Sequence, residues 1–125
     1  MNKVITQLRT IEELETVMQK SHEKPIVLFK HSVTCPVSAN AFDEFHSYFK
    51  NAPEDIEHYV ITVQAARPVS NKAAEKLNVR HESPQVILLK DGAAVWNDSH
   101  SYITEVALHR ATEEHFVAVP ELIRD

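Results

Sequence analysis

The sequence predicts a three-layer α/β domain, with a central mixed four-stranded sheet and helices on both faces. Three observations predict it. The apolar runs Ile26-Val27-Leu28-Phe29 and Val86-Ile87-Leu88-Leu89 read as short strands buried on both faces. Segments of helical spacing alternate with the strands, and two strands joined through a helix run parallel. Asp91-Gly92 is a hairpin signal that turns the last strand back antiparallel.

The elements follow in order. Thr10 with Glu13 forms a capping box, and Ile11, Leu14, Val17 and Met18 then recur on one helical face, which ends near Lys20. Pro25 opens the first strand, Ile26 to Phe29. A loop from Lys30 to Thr34 leads to Cys35, and Pro36 takes the first turn of a second helix, whose apolar face is Phe42, Phe45 and Phe49. His58 to Val63 is the second strand. Ser70 is placed as the cap of a third helix with Ala73, Ala74 and Leu77 inward. Ser83-Pro84 precedes the third strand, Val86 to Leu89, and the hairpin returns through Ala93 to Trp96, where Trp96 packs on the core. Ser101 to about Arg110 is the last helix, with Ile103, Val106 and Ala107 at i, i+3 and i+4. The expected order is α-β-α-β-α-β-β-α.

A chain of 125 residues suits one domain with one core, taken here as residues 1–125. The stretch 111–125 is given no role: Phe116, Val117 and Val119 are apolar enough to pack, and Pro120 would end a helix there. The net charge of −5, with both signs interspersed, argues against nucleic acid, which needs a basic face. No segment has the roughly 20 apolar residues of a membrane span. The N-terminal residues lack the apolar stretch of a secretory signal. With one cysteine there is no internal disulfide framework, and the expected location is the cytoplasm. One glycine, Gly92, leaves no Gly-rich phosphate loop.

Cys35 is where chemistry concentrates. It stands after a strand and a loop, at the start of a helix, where free backbone N–H groups and the positive end of the dipole favour a thiolate. Cysteines so placed generally titrate below the unperturbed value of about 8.5, and the thiolate is the form that attacks disulfides. The competing reading is a small buried hydrophobe. In the motif Cys35-Pro36-Val37-Ser38, serine holds the place of the second thiol of a C-x-x-C pair, one turn on and on the same face. Ser38 cannot form a disulfide, although its hydroxyl can donate a hydrogen bond to the thiolate. A resolving thiol must therefore come from outside. Ser83-Pro84 is a candidate cis bond, since proline is the residue that tolerates one. The eight histidines form no H-E-x-x-H and no His/Cys pair at ligand spacing, so no metal is expected. His31 and His81 flank the site in sequence, where an imidazole can influence the thiolate, but they are read with the others as solvated surface groups.

The stretch His31-Ser32-Val33-Thr34-Cys35-Pro36-Val37-Ser38 resembles the monothiol bacilliredoxins. Arg67-Pro68-Val69-Ser70, His81-Glu82-Ser83-Pro84-Gln85, Lys90-Asp91-Gly92 and Trp96-Asn97-Asp98-Ser99-His100 extend the likeness. It covers roughly residues 1 to 110, and Thr34-Cys35-Pro36-x-Ser38 combined with Ser83-Pro84-Gln85 gives it its specificity. The resemblance implies a thioredoxin-like fold and a cis Pro84 opposite the cysteine, offering backbone groups to an extended substrate. It also implies that Cys35 removes bacillithiol, a low-molecular-weight bacterial thiol, from proteins capped by it as mixed disulfides. Bacillithiol would then be a co-substrate, with no tightly bound cofactor, and the partners would be bacillithiolated client proteins. Because bacillithiol carries malate carboxylates, a nearby cation would help; Lys30, Arg67 and Arg80 are candidates, Arg67 first. The residues from His115 to Asp125 have no counterpart in this resemblance.

Two other classes compete. A redox-sensing or binding domain would use Cys35 as a reversible switch without turnover. An iron–sulfur carrier would share a cluster between two chains through Cys35 and external thiols. Pro36-Val37 argues against the carrier, because the glutaredoxins that carry clusters normally have glycine and phenylalanine there.

Overall fold

In the computed structural model, residues 3–117 are described. The elements are β1 (Ile5–Gln7), α1 (Ile11–Lys20), β2 (Ile26–His31), α2 (Pro36–Lys50), β3 (Glu57–Thr62), α3 (Arg67–Leu77), β4 (Gln85–Lys90), β5 (Ala93–Ser99), a 3-10 turn (His100–Tyr102) and α4 (Glu105–Phe116). The sheet has five strands, not four, in the order β1-β3-β2-β4-β5. The extra strand, β1, pairs parallel with the outer edge of β3. Three residues with Thr6 between Ile5 and Gln7 are too short for a periodic signal, so pairing alone makes them a strand. β2 and β3 run parallel, while β2–β4 and β4–β5 are antiparallel, giving the expected mixed sheet.

Alternation along the strands divides the core in two. Ile26, Leu28, Ile61, Ile87 and Leu89 pack under α1 and α3 against Leu14, Val17, Val69, Ala73 and Leu77. Val27, Phe29, Val60, Val86 and Leu88 face α2 and α4, against Phe45, Tyr48, Leu108 and Ala111. The Thr10–Glu13 capping box is present at α1: Thr10 Oγ1 accepts from Glu13 N–H, and Glu13 Oε1 accepts from Thr10 N–H. Trp96 packs on the α2/α4 side, and so does Phe116.

Three boundaries differ from expectation, each for a physical reason. β2 continues through Lys30 and His31, because Lys30 pairs with Ile61 and Gln85 and His31 with Thr62. Ser70 does not cap α3. That helix begins at Arg67 with Pro68 in its first turn, and Ser70 lies one turn in, fully buried. The residues from His100 to Tyr102 form a 3-10 turn; α4 starts at Glu105 under Thr104, whose Oγ1 accepts from Ala107 N–H at 3.1 Å. The buried face of α4 is therefore Leu108, Ala111 and Thr112, whereas Val106 is 64% exposed. Val117 is exposed, and Val119 and Pro120 lie outside the described residues. Among the described residues no helix is long and apolar enough to cross a membrane.

Candidate active site

Cys35 is the N-cap of α2, in extended backbone conformation, with Pro36 following in the first turn. A capping residue with a hydroxyl or carboxylate would turn back onto the N–H of the next turn. The Cys35 side chain makes no such bond, and the residue is partly exposed. It is thus a free thiol at a helix N-terminus and not a buried hydrophobe. Val33, Pro36 and Val37, close to it in sequence, are exposed apolar residues.

The loop before Cys35 is held from both sides. From α2, Ser38 reaches back: Ser32 N–H donates to Ser38 Oγ at 2.9 Å, and the same oxygen is 2.8 Å from His31 Nδ1. From the β3–α3 connection, Gln64 Oε1 accepts from Val33 N–H at 3.1 Å, while its amide donates to Ser32 Oγ at 2.8 Å and to Thr34 Oγ1 at 3.3 Å. Ser38 is 0% exposed, and its hydrogen bonds go to His31 and Ser32 rather than to Cys35.

Of the two flanking histidines, His31 is not a solvated surface group, whereas His81 is exposed as expected. His31 is half-buried and stacks on Phe42 with ring centroids 4.2 Å apart. Burial, and then the neighbouring His46, pulls its pKa below the ordinary imidazole value. His81 lies on the other face, where its Nδ1 is 3.3 Å from Lys30 Nζ and 3.3 Å from Ser70 Oγ. Burial, then Lys30 and Arg67, lower its pKa, with Glu82 opposing.

Of the three candidate cations, Lys30 is excluded as a ligand for solvent-borne carboxylates. It is fully buried on the α1/α3 face, and its ammonium donates to the Ser70 carbonyl at 3.0 Å. Burial brings its pKa down to about 8. Arg67 stands exposed at the start of α3, close enough to His81 for its charge to act there. Arg80 is exposed, and its carbonyl accepts from Gln85.

The Ser83–Pro84 bond is cis. Pro84 immediately precedes β4, whose first residue, Gln85, pairs with Lys30, so the proline sits at the end of the sheet from which the Cys35 loop departs. Its carbonyl already accepts from His100 N–H at 3.0 Å. Ser83 Oγ is buried with no partner. Among the described residues, no three His, Cys, Asp or Glu side chains gather as a metal site would require. Sequence reasoning did not find Gln64 or the Lys30–Ser70–His81 cluster. A lone glutamine in a loop carries no signal, and the sequence pattern assigns Lys30 to the loop and not to the strand that buries it.

The family model described as monothiol bacilliredoxin BrxC matches residues 6–108 of this chain. A solved structure provisionally described as an oxidoreductase with a thioredoxin fold is 38% identical, covers 88% of this chain and 95% of its own, and superposes with a TM-score of 0.77. Thioredoxin from Fasciola hepatica is 21% identical over 88% of this chain and 98% of its own, with a TM-score of 0.72. A mutant thioredoxin from Halobacterium salinarum is 16% identical over 93% of this chain and 94% of its own, also at 0.72. The last two share the thioredoxin fold with this chain.

Proposed function

Because the chain belongs to the monothiol bacilliredoxin family, we propose that it removes bacillithiol from protein mixed disulfides through Cys35, acting in the cytoplasm. The observation that carries this reading is the geometry of α2: one partly exposed thiol at its N-cap and a buried serine one turn on, where a second thiol would stand.

The chemistry follows from that pair. The Cys35 thiolate attacks the bacillithiol sulfur of the capped client. A disulfide forms between Cys35 and bacillithiol, the client–bacillithiol bond breaks, and the client leaves as a thiolate that takes a proton from water. One disulfide replaces another, so no net oxidation or reduction occurs. Ser38 has no sulfur with which to open the new bond, so the adduct persists until a second bacillithiol or another reductase attacks it. Bacillithiol is then a co-substrate, and no cofactor is tightly bound. The exposed Val33 and Val37 suit contact with the apolar surroundings of a client cysteine, and the Ser83 backbone beside cis Pro84 suits an extended client segment.

Intact-mass spectrometry of the reduced protein mixed with a bacillithiolated client tests the reading. The expected result is movement of the bacillithiol mass from client to protein at one equivalent per chain. A client that stays capped while Cys35 stays free would sink the enzyme reading and favour a sensing or binding domain.

Arg67 is assigned to the malate carboxylates of bacillithiol. Arg67→Glu should slow transfer from a bacillithiolated client by roughly three- to tenfold, the scale of one lost charge-assisted contact. Transfer from a client capped with an uncharged thiol should be unchanged. Equal slowing with both clients would remove Arg67 from substrate recognition.

A further inference from the structure

We propose that His81 is a specificity-determining residue for the malate carboxylates of bacillithiol, held by buried Lys30 with its Nε2–H turned outward beside Arg67. The inference deepens the proposed function and rests on it.

The hydrogen bonds of Lys30 decide which ring nitrogen of His81 carries the proton. An ammonium only donates and has no lone pair to offer. The Lys30 ammonium donates to the Ser70 carbonyl at 3.0 Å, and its Nζ lies 3.3 Å from His81 Nδ1. Nδ1 is therefore the acceptor, and the hydrogen of the neutral ring sits on Nε2. Ser70 Oγ, also 3.3 Å from Nδ1, is in place to donate to the same atom. Lys30 and Ser70 are both 0% exposed, whereas His81 is exposed. The imidazole is thus gripped by its inner nitrogen. Among the described residues, Nε2 has no hydrogen-bond partner.

Lys30 is an expensive residue to bury for packing alone. A buried charge is normally paired with an opposite one, and an apolar side chain of similar volume would avoid the desolvation. The hydrogen-bond partners of Lys30 among the described residues are a carbonyl and a ring nitrogen, both neutral. Fixing the tautomer and direction of His81 gives the ammonium a task that a methionine could not perform.

The fold brings this donor to the thiol's end of the sheet. Arg67 and Ser70 stand at i and i+3 of α3, so exposed Arg67 shares the helix face from which Ser70 meets the imidazole. Arg67 follows Gln64, whose amide holds Ser32 and Thr34 of the Cys35 loop, and His81 stands two residues before the cis Ser83–Pro84 bond. Burial, then Lys30 and Arg67, oppose a second proton on the ring, with Glu82 acting the other way. Glu82 is itself engaged, its Oε1 lying 2.9 Å from His100 Nε2. A guanidinium and an outward N–H are both donors, which suits an anion and repels a cation. Two neighbouring carboxylates, as in malate, match the pair, one to each.

The test begins with the protein alone and malate as the probe. Nitrogen chemical shifts should show Nε2 protonated and Nδ1 bare in the neutral His81 ring, and Lys30→Met should bring both toward a tautomer average. Added malate should move the His81 and Arg67 side-chain signals. Half-saturation should need about tenfold more malate in His81→Phe, the scale of one hydrogen bond to a charged group. His81→Gln, whose amide nitrogen reaches the place of Nε2, should restore most of the affinity. His81→Phe should slow transfer from a bacillithiolated client by a similar factor and leave transfer from a client capped with an uncharged thiol unchanged. A protonated Nδ1 in the neutral wild-type ring, equal malate binding by wild type and His81→Phe, or equal slowing with both clients would overturn the inference. If bacillithiol is not the substrate, wild type itself fails to take it from a client, while the tautomer and malate measurements still decide on His81.

Discussion

With Cys35 replaced by alanine, a bacillithiolated client incubated with the protein should stay capped, and transfer should fall to the uncatalysed background, a loss on the order of a thousandfold or more. The chain has no other sulfhydryl to take over the attack. Stability should change little, because the Cys35 side chain caps nothing and is partly exposed; an N-cap exchange of this kind costs about 1 kcal/mol at most. Equal unfolding midpoints beside lost transfer would therefore place the defect in chemistry and not in folding. Ser38→Cys supplies the complementary case. A thiol one turn from Cys35 can open the adduct from within, so the long-lived protein–bacillithiol species expected for wild type in mass spectrometry should become transient. Uncapping of the client by the alanine variant would move the chemistry away from Cys35.

Acidification should destabilise the fold through His58. This residue of β3 is 1% exposed and faces α2, with Tyr48 Oη 2.9 Å from its Nε2. Burial first, and then the charge of Lys3, bring its pKa down to about 4. In the unfolded chain it titrates near 6.5. Between these values the unfolded state binds a proton that the folded state refuses, so stability falls as pH falls, by about 3 kcal/mol over the whole window. Above the unfolded value the residue contributes no slope. His31 and His81 are shifted in the same direction and add to the loss. Glu57, held low chiefly by the Tyr59 hydroxyl, adds a further loss at more acid pH as its carboxylate is protonated. Urea unfolding at a series of pH values measures the effect. His58→Phe keeps a ring among Phe45, Tyr48 and Phe49 and should flatten the dependence, whereas an unchanged slope would assign it to other groups.

Much of this was legible in the chain because its strongest signals are local. A capping box, two apolar runs, Pro36 behind Cys35 and Asp91-Gly92 each act over a few residues, and each lies where its element begins or turns. What was missed depends either on contacts distant in sequence or on two local signals that compete. β1 exists because β3 offers it an edge, with Leu8 N–H donating to the Val60 carbonyl at 2.8 Å. Ser70 resembles a cap by residue type, but Pro68 two residues earlier had already begun the helix, and the serine was free to face Lys30 and His81. The spacing of Ile103 and Val106 imitates a helical face across a boundary that Thr104 creates. At the site itself, the motif located Cys35 and Ser38, but the partners of Ser38 and the grip of Gln64 arise only when β2, α2 and the β3–α3 connection meet.

Gln64 has a kinetic consequence. By holding Ser32, Val33 and Thr34 at once, it removes the conformational freedom of the loop during folding, so that freedom is not lost again at each encounter with a client. On the proposed function, the thiol should keep one geometry before and after it is capped. Exchange at Cys35 should then be governed by how well the incoming disulfide aligns with a fixed sulfur, and clients should be selected by the accessibility of their own capped cysteine rather than by any adaptation of this surface.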